Sequence, residues 1–223
     1  MSDFPFDIVG FDLDGTLLDT SADLADAVNY TLALEDRPPM TVEQVRPMIG
    51  GGAKLLLKRG LEISGGVDDA LMARLYPHLL NHYRDNISAG TLPFPGMIDA
   101  LDRLAALSVT LAVVTNKFES FALKLLDELD LASRFATVIG GDTMGKGNAK
   151  PSAAPIHEMI RRCGGGRAAF VGDSIYDVGA AHNAGIACIA VSFGFLMQPI
   201  EELGADGVID HYDELLPALE RLG

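Results

Sequence analysis

Three strand-like ends and one helix start carry side chains of a chemically useful kind. The first is Phe11-Asp12-Leu13-Asp14-Gly15-Thr16-Leu17, where two carboxylates lie one residue apart directly after Ile8-Val9-Gly10-Phe11. A buried strand that stops there aims acidic groups into the crevice at the carboxyl edge of an open α/β sheet, where such sheets hold ligands. Asp-Gly is also an ordinary turn pair, so these acids need company to read as a site. Thr115-Asn116-Lys117 follows a second apolar run and offers a hydroxyl, an amide and backbone donors suited to phosphate oxygens. Lys150-Pro151 precedes a helix, where a lysine can neutralise an anion near the helix N-terminus. Lys146 competes from the same loop but has glycine on both sides and no helix start behind it. Gly172-Asp173-Ser174-Ile175-Tyr176-Asp177 ends a third run, with Asp173 at the strand tip and Asp177 one helical turn on. Oxygen ligands of this type suit Mg²⁺, a hard cation that keeps several waters and needs only one or two carboxylates. Each segment alone has a structural use as turn, cap or solvated charge. Together they bring two acids, a hydroxyl–amide pair, a lysine and two further acids to one edge of one sheet.

The elements that must position these residues are legible as alternating patterns. Residues 7–12, 109–115, 168–172 and 186–192 are nearly continuous apolar runs, the pattern of strands covered on both faces. Residues 137–140 and 207–209 are weaker strand candidates. Helical stripes lie between them: Ile98, Leu101, Leu104 and Ala105; Phe121, Leu125 and Leu129; and Ile156, Met159 and Ile160, with Pro151 in the first turn of the last. Strand–helix alternation of this kind predicts an α/β fold with a Rossmann-like, doubly wound parallel sheet. Between Thr20 and Gly90 no strand is expected. Thr20-Ser21-Ala22-Asp23 has the form of a capping box ahead of Leu24, Val28 and Leu32. Leu55, Leu57, Leu61 and Ile63 mark a second helix, and Leu71, Leu75, Tyr76, Leu79 and Tyr83 a third that Pro77 would kink or split. The expected organisation is a core domain of residues 1–18 and 91–223 with a helical insertion of residues 19–90, hinged at 18–20 and 89–95.

With 223 residues the chain can form one sizeable core, or a core with a small appended domain. A formal net charge of −14 disfavours a nucleic-acid partner, which needs basic patches, but leaves room for a small anionic substrate beside a metal cation. Cys163 and Cys188 share no metal-ligand spacing and fit free thiols in a reducing compartment. The acidic run Met1-Ser2-Asp3-Phe4-Pro5-Phe6-Asp7 lacks the basic region of a secretory leader. No apolar run approaches the roughly 20 residues of a membrane span. The expectation is a cytoplasmic monomer or homodimer with no membrane partner.

At these residues the chain resembles the haloacid-dehalogenase superfamily of phosphohydrolases, over essentially its whole length. Asp-x-Asp-Gly-Thr stands as Asp12-Leu13-Asp14-Gly15-Thr16, the Ser/Thr motif as Thr115 followed by Asn116, the motif lysine as Lys150, and the acidic motif as Gly172-Asp173 with Asp177. The helical stretch after the first motif is similar to that superfamily's helical cap. The resemblance implies that Asp12 attacks phosphorus to form an aspartyl-phosphate. It implies that Asp14, amid neighbouring anionic charge, protonates the departing alkoxide and later deprotonates water. It also implies Mg²⁺ held by Asp12, the Asp14 carbonyl and Asp173. Thr115, Asn116 and Lys150 would stabilise phosphoryl charge, and Asp177 would orient Lys150 or a metal-bound water.

An acid at Asp14 is absent from dehalogenases of the group and replaced in phosphonate-cleaving members, so it points to a phosphate ester. Residues 45–53, 113–117 and 139–143 resemble those of phosphoglycolate phosphatases. Ala153 departs from the proline common there, and the glycine-rich loop 142–149 is unusual. The implied activity is hydrolysis of a small phosphorylated metabolite, foremost 2-phosphoglycolate. Arg46 and Lys54, flanking Gly50-Gly51-Gly52, and Lys117 are the candidates to meet a substrate carboxylate. Two other readings use the same residues: a sugar-phosphate mutase resembling β-phosphoglucomutase, and a phospho-acceptor signalling domain.

Overall fold

The computed structural model describes residues 4–223, so Met1, Ser2 and Asp3 of the acidic N-terminal run lie outside the described residues. In chain order the elements are β1 (Ile8–Phe11), β2 (Leu18–Asp19), α1 (Ser21–Ala33), α2 (Val42–Val45), α3 (Ala53–Ser64), α4 (Asp69–Asp85) and β3 (Leu92–Pro93). They continue with α5 (Met97–Ala106), β4 (Thr110–Val114), α6 (Glu119–Glu128), β5 (Thr137–Ile139), α7 (Ala154–Arg162) and β6 (Ala168–Gly172). The last are α8 (Ile175–Asn183), β7 (Ala187–Val191), β8 (Gly207–Ile209) and α9 (Leu215–Arg221).

Six strands form one parallel sheet in the order β5-β4-β1-β6-β7-β8. Alternate residues of each central strand enter different apolar clusters: Val9, Phe11, Val113 and Val171 on one face, Ile8, Ala112, Val114 and Phe170 on the other. That division is why the strands read as unbroken apolar runs. On the second face a Cβ at Gly10 would lie 2.3 Å from Met159 Sδ. The bare glycine therefore lets α7 press against β1, which draws the loop ahead of α7 over the sheet edge. Phe11 registers with Val113 on one side and Val171 on the other. The next residue, Asp12, thus stands between the ends of β4 and β6. The chain winds outward in opposite directions from this point, so the crevice lies at a topological switch point.

Residues between β2 and β3 contribute no strand to the large sheet; α1, α3 and α4 pack on one another as a helical layer. The two connections to it are not bare hinges. Leu18 pairs with Pro93 and Asp19 with Leu92 in a short antiparallel ribbon. Four local expectations are corrected. Thr20 precedes α1 but caps nothing; its hydroxyl donates to Asp14 Oδ1 at 2.7 Å. Asp23 does not close a capping box but reaches back, accepting from Gly90 N at 2.7 Å and Thr91 Oγ1 at 2.6 Å. Pro77 does not split its helix, since α4 runs through it; Pro77 is exposed, on the side of the helix where water can satisfy a freed carbonyl. Pro151 lies before α7, and the first-turn proline is Pro155. On α3, Ile63 of the expected stripe is exposed, while Leu56 is buried. α2 is a further short helix, begun by a capping box of Thr41 and Gln44.

Asp23 fastens the outgoing and returning connections together from a buried position. Asp23→Ala leaves two donors without their acceptor and is expected to lower the unfolding free energy by about 1–3 kcal/mol. Urea unfolding checks this; an unchanged midpoint and slope would contradict the clasp.

Candidate active site

The site is built from the β1 tip outward. Asp12 is buried, and its amide continues the ladder by donating to Val171 O at 2.9 Å. Lys150 Nζ lies 2.7 Å from Asp12 Oδ1, 2.5 Å from Asp177 Oδ1 and 2.7 Å from the Val114 carbonyl. All three ammonium donors are therefore used. Lys146 is exposed, which resolves the competition in that loop. Burial pulls the Lys150 pKa down, but the carboxylates of Asp12 and Asp177 outweigh it, and the net shift is upward.

Asp177 serves as a bracket. Its Oδ2 accepts from Ser174 N at 3.0 Å, Ser174 Oγ at 2.5 Å and Asp173 N at 3.2 Å, closing a capping box at the start of α8. With Oδ1 on Lys150, both of its oxygens are taken. Asp173 differs. Its Oδ2 accepts from Phe195 N at 2.6 Å, while its Oδ1 is buried and has no partner. Gly194 makes that grip possible, because a Cβ there would fall 2.3 Å from Asp173 Cβ. Carboxylate oxygens of Asp12, Asp173 and Asp177 all lie within 4.8 Å of one another. Burial, opposed by Lys150 and reinforced by the carboxylates of Asp177 and Asp14, pushes the Asp12 pKa up to about 7. Burial, then Asp177 and Asp12, raise Asp173 well above the usual carboxylate range. Three buried acids against one lysine leave the cluster short of positive charge, and the orphaned oxygen of Asp173 beside Asp12 fits a hard cation.

Asp14 stands apart from that cluster. Besides its anionic neighbour Asp12, its nearest ionic partner is a cation the sequence pattern did not assign to it, Lys117, whose Nζ lies 2.9 Å from Asp14 Oδ1. Thr20 Oγ1 reaches the same oxygen at 2.7 Å. Lys117 Nζ also donates to Tyr83 Oη, 2.8 Å away on α4. Thr115 is buried, with its Oγ1 accepting from Lys117 N at 3.1 Å. Asn116 does not present its amide nitrogen freely; Nδ2 donates to Gly50 O at 3.0 Å and Lys150 O at 3.3 Å, while its Oδ1 is buried and unpartnered.

These groups face a cavity of about 230 Å³ that includes Asp12, Asp14, Thr115, Lys117 and Lys150 in its wall. The loop Gly50-Gly51-Gly52 and the start of α3 close it from the helical layer, with Gly52 at the N-cap. Of the three substrate-contact candidates, Lys117 is buried in this wall and Lys54 is exposed at its rim. Arg46 is elsewhere: Nη2 lies 2.8 Å from Asp19 Oδ2, and the guanidinium sits 5.3 Å from the Phe195 ring centroid. A pairing with the ribbon holds it away from the cavity. Tyr83, Thr20 and the Phe195 amide are contacts the sequence reading missed. Tyr83 counted only as part of an apolar stripe and Thr20 only as a cap.

Comparison with known proteins agrees with this geometry. The model of the haloacid dehalogenase-like hydrolases matches residues 9–191. A phosphoglycolate phosphatase of Agrobacterium fabrum is 41% identical over 212 residues, covering 94% of this chain and 90% of its own. One of Caulobacter vibrioides is 40% identical over 207 residues, covering 92% of this chain and 86% of its own. The crystal structure of a predicted phosphoglycolate phosphatase from Haemophilus somnus superposes with a TM-score of 0.87 at 28% identity, covering 95% of this chain and 97% of that one.

Among the described residues Lys150 is the one cation in contact with Asp12 and Asp177. Lys150→Met removes it and leaves buried acids facing one another, so a loss of about 3–5 kcal/mol in unfolding free energy is expected when no divalent cation is added. Urea denaturation measures it; stability equal to the parent chain would contradict the bracket.

Proposed function

The chain belongs to the haloacid dehalogenase-like hydrolases, and from that membership we propose that it is a phosphatase, a phosphoric monoester hydrolase, whose substrate is 2-phosphoglycolate and whose cofactor is Mg²⁺. The observation that carries the proposal is Asp12, held at a switch-point strand tip by Lys150 and set beside an unpartnered oxygen of Asp173. The substrate reading is supported by relatives named phosphoglycolate phosphatase at about 40% identity across most of both chains. The size of the cavity, about 230 Å³, supports a small ester. Drug-sized ligands usually need roughly 300 Å³ or more.

Asp12, Asp173 and the Asp14 carbonyl would hold Mg²⁺, since both oxygens of Asp177 are already engaged. When bound, the ion supplies positive charge that draws the phosphoryl oxygens in and offsets the surplus of carboxylates. In this reading Asp12 bonds to phosphorus as the ester oxygen leaves, forming an aspartyl-phosphate. Lys150 contributes charge and fixes Asp12 Oδ1, leaving the other oxygen to attack; it has no spare donor for the phosphate in this arrangement. Thr115, at the tip of β4, and Asn116 beside it face the phosphoryl group. For Asn116 this requires exchange of its bond to Gly50. Asp14 hands a proton to the leaving oxygen and then takes one from the water that cleaves the acyl phosphate. Thr20 and Lys117 fix its Oδ1, so Oδ2 is the oxygen left for that work. Asp177 sets Lys150 and the start of α8 in place. The helical layer acts as the cap that closes the cavity.

The test is release of inorganic phosphate from 2-phosphoglycolate with added Mg²⁺. A chelator is expected to stop it and fresh Mg²⁺ to restore it. Asp12→Asn is expected to slow it by at least about a thousandfold. Full turnover by Asp12→Asn would remove the nucleophile assignment. Interconversion of sugar phosphates without phosphate release would favour a mutase instead.

A further inference from the structure

Tyr83 and Lys117 hold hydrogen-bond donors that the catalytic scheme leaves unused. Lys117 Nζ has three donors, of which one goes to Asp14 at 2.9 Å and one to Tyr83 Oη at 2.8 Å. The third meets no acceptor among the described residues. Tyr83 Oη accepts from Lys117, and its own O–H likewise finds no acceptor among the described residues. Both side chains are buried, and both line the cavity that holds Asp12 and Asp14. Buried donors are seldom left without partners. Leu24, Leu79 and Phe121 line the same cavity, so the pair stands in a largely apolar wall. Two adjacent donors, one of them cationic, in such surroundings form a receptor for an anionic oxygen group.

We propose that Tyr83 and Lys117 together bind the substrate's second anionic group, a carboxylate, with α4 supplying one half of the receptor and the turn after β4 the other. This rests on the phosphatase reading above and deepens it by assigning the residues that recognise the acid end. Lys54 is the weaker receptor because it is exposed at the rim, where water screens its charge. The two halves come from different layers of the fold. The receptor is therefore complete only where the helical layer meets the core.

The experiment compares two esters that differ only at that end: 2-phosphoglycolate, and ethyl phosphate, in which a methyl group replaces the carboxylate. The parent enzyme is expected to favour 2-phosphoglycolate in kcat/KM. Tyr83→Phe keeps the ring and removes the O–H. It is expected to lower kcat/KM for 2-phosphoglycolate about tenfold or more, chiefly through KM, with a much smaller change for ethyl phosphate. Lys117→Gln is expected to shrink the ratio of the two kcat/KM values further, on top of a general loss from its contact with Asp14. Equal loss on both esters in Tyr83→Phe would overturn the receptor and reduce Tyr83 to a prop for Lys117. No loss on either, or a parent enzyme that does not discriminate, would overturn it as well. A parent enzyme that releases phosphate from neither ester would instead remove the phosphatase reading itself.

Discussion

One ammonium group ties the molecule's chemistry to its architecture. Lys150 Nζ touches Asp12 after β1, the Val114 carbonyl at the end of β4, and Asp177 in the first turn of α8. Those three attachments come from chain segments far apart in sequence. Each would be unfavourable if buried alone. A carboxylate removed from water needs a partner, and so does an ammonium. The contacts are therefore mutually dependent: the sheet register brings Asp12 and Val114 level, α7 presses on Gly10 and carries Lys150 over the edge, and the capping box of α8 aims Asp177 inward. Loss of any one leaves the others worse than unmade.

That arrangement is complete for Lys150 and incomplete for the acids. Lys150 has no free donor, Asp177 no free oxygen, yet Asp173 keeps one buried oxygen without a partner. The imbalance is a property of position. Gly172 and Gly194 permit backbone and side chains to crowd closer than a Cβ would allow, so Asp173 is fixed while its Oδ1 stays unmatched. A structure with no use for the site would lose little by an apolar residue there. An unmatched, rigidly held carboxylate oxygen next to a second acid is what a hard cation requires.

The parts legible in the sequence were those whose signal is local. Strand runs, helical stripes and the four motif segments depend on short stretches, and the sheet edge gathers Asp12, Asp14, Thr115, Lys150 and Asp173 as expected. What escaped depends on long-range contact. Thr20 has the form of a helix cap in sequence, but its hydroxyl is turned away from the α1 amides and donates to Asp14. Asp23 looked like the third residue of a capping box, but the returning chain at Gly90 and Thr91 offers two donors at once. Arg46 read as a free cation beside a glycine run, and only the folded ribbon shows Asp19 waiting for it. Pro77 does not end its helix because its turn faces water.

The same long-range contacts explain how the helical layer takes part without supplying a reacting group. Three of its contacts with the core bear on the site. Arg46 lies over Phe195, whose amide holds Asp173; the Gly50 carbonyl accepts from Asn116; and Tyr83 accepts from Lys117, which holds Asp14. Each contact ends one residue away from, or directly on, a group that grips a carboxylate or stands at the β4 tip. The layer as seated therefore borders Asp173, Asn116 and Asp14 together. In the proposed reaction, a layer seated in this manner would limit water around the donors and so strengthen the charge interactions among them. In the proposed reaction the helical layer would thus act through the geometry of the core's acids, and through the space it leaves for the group beyond the phosphate.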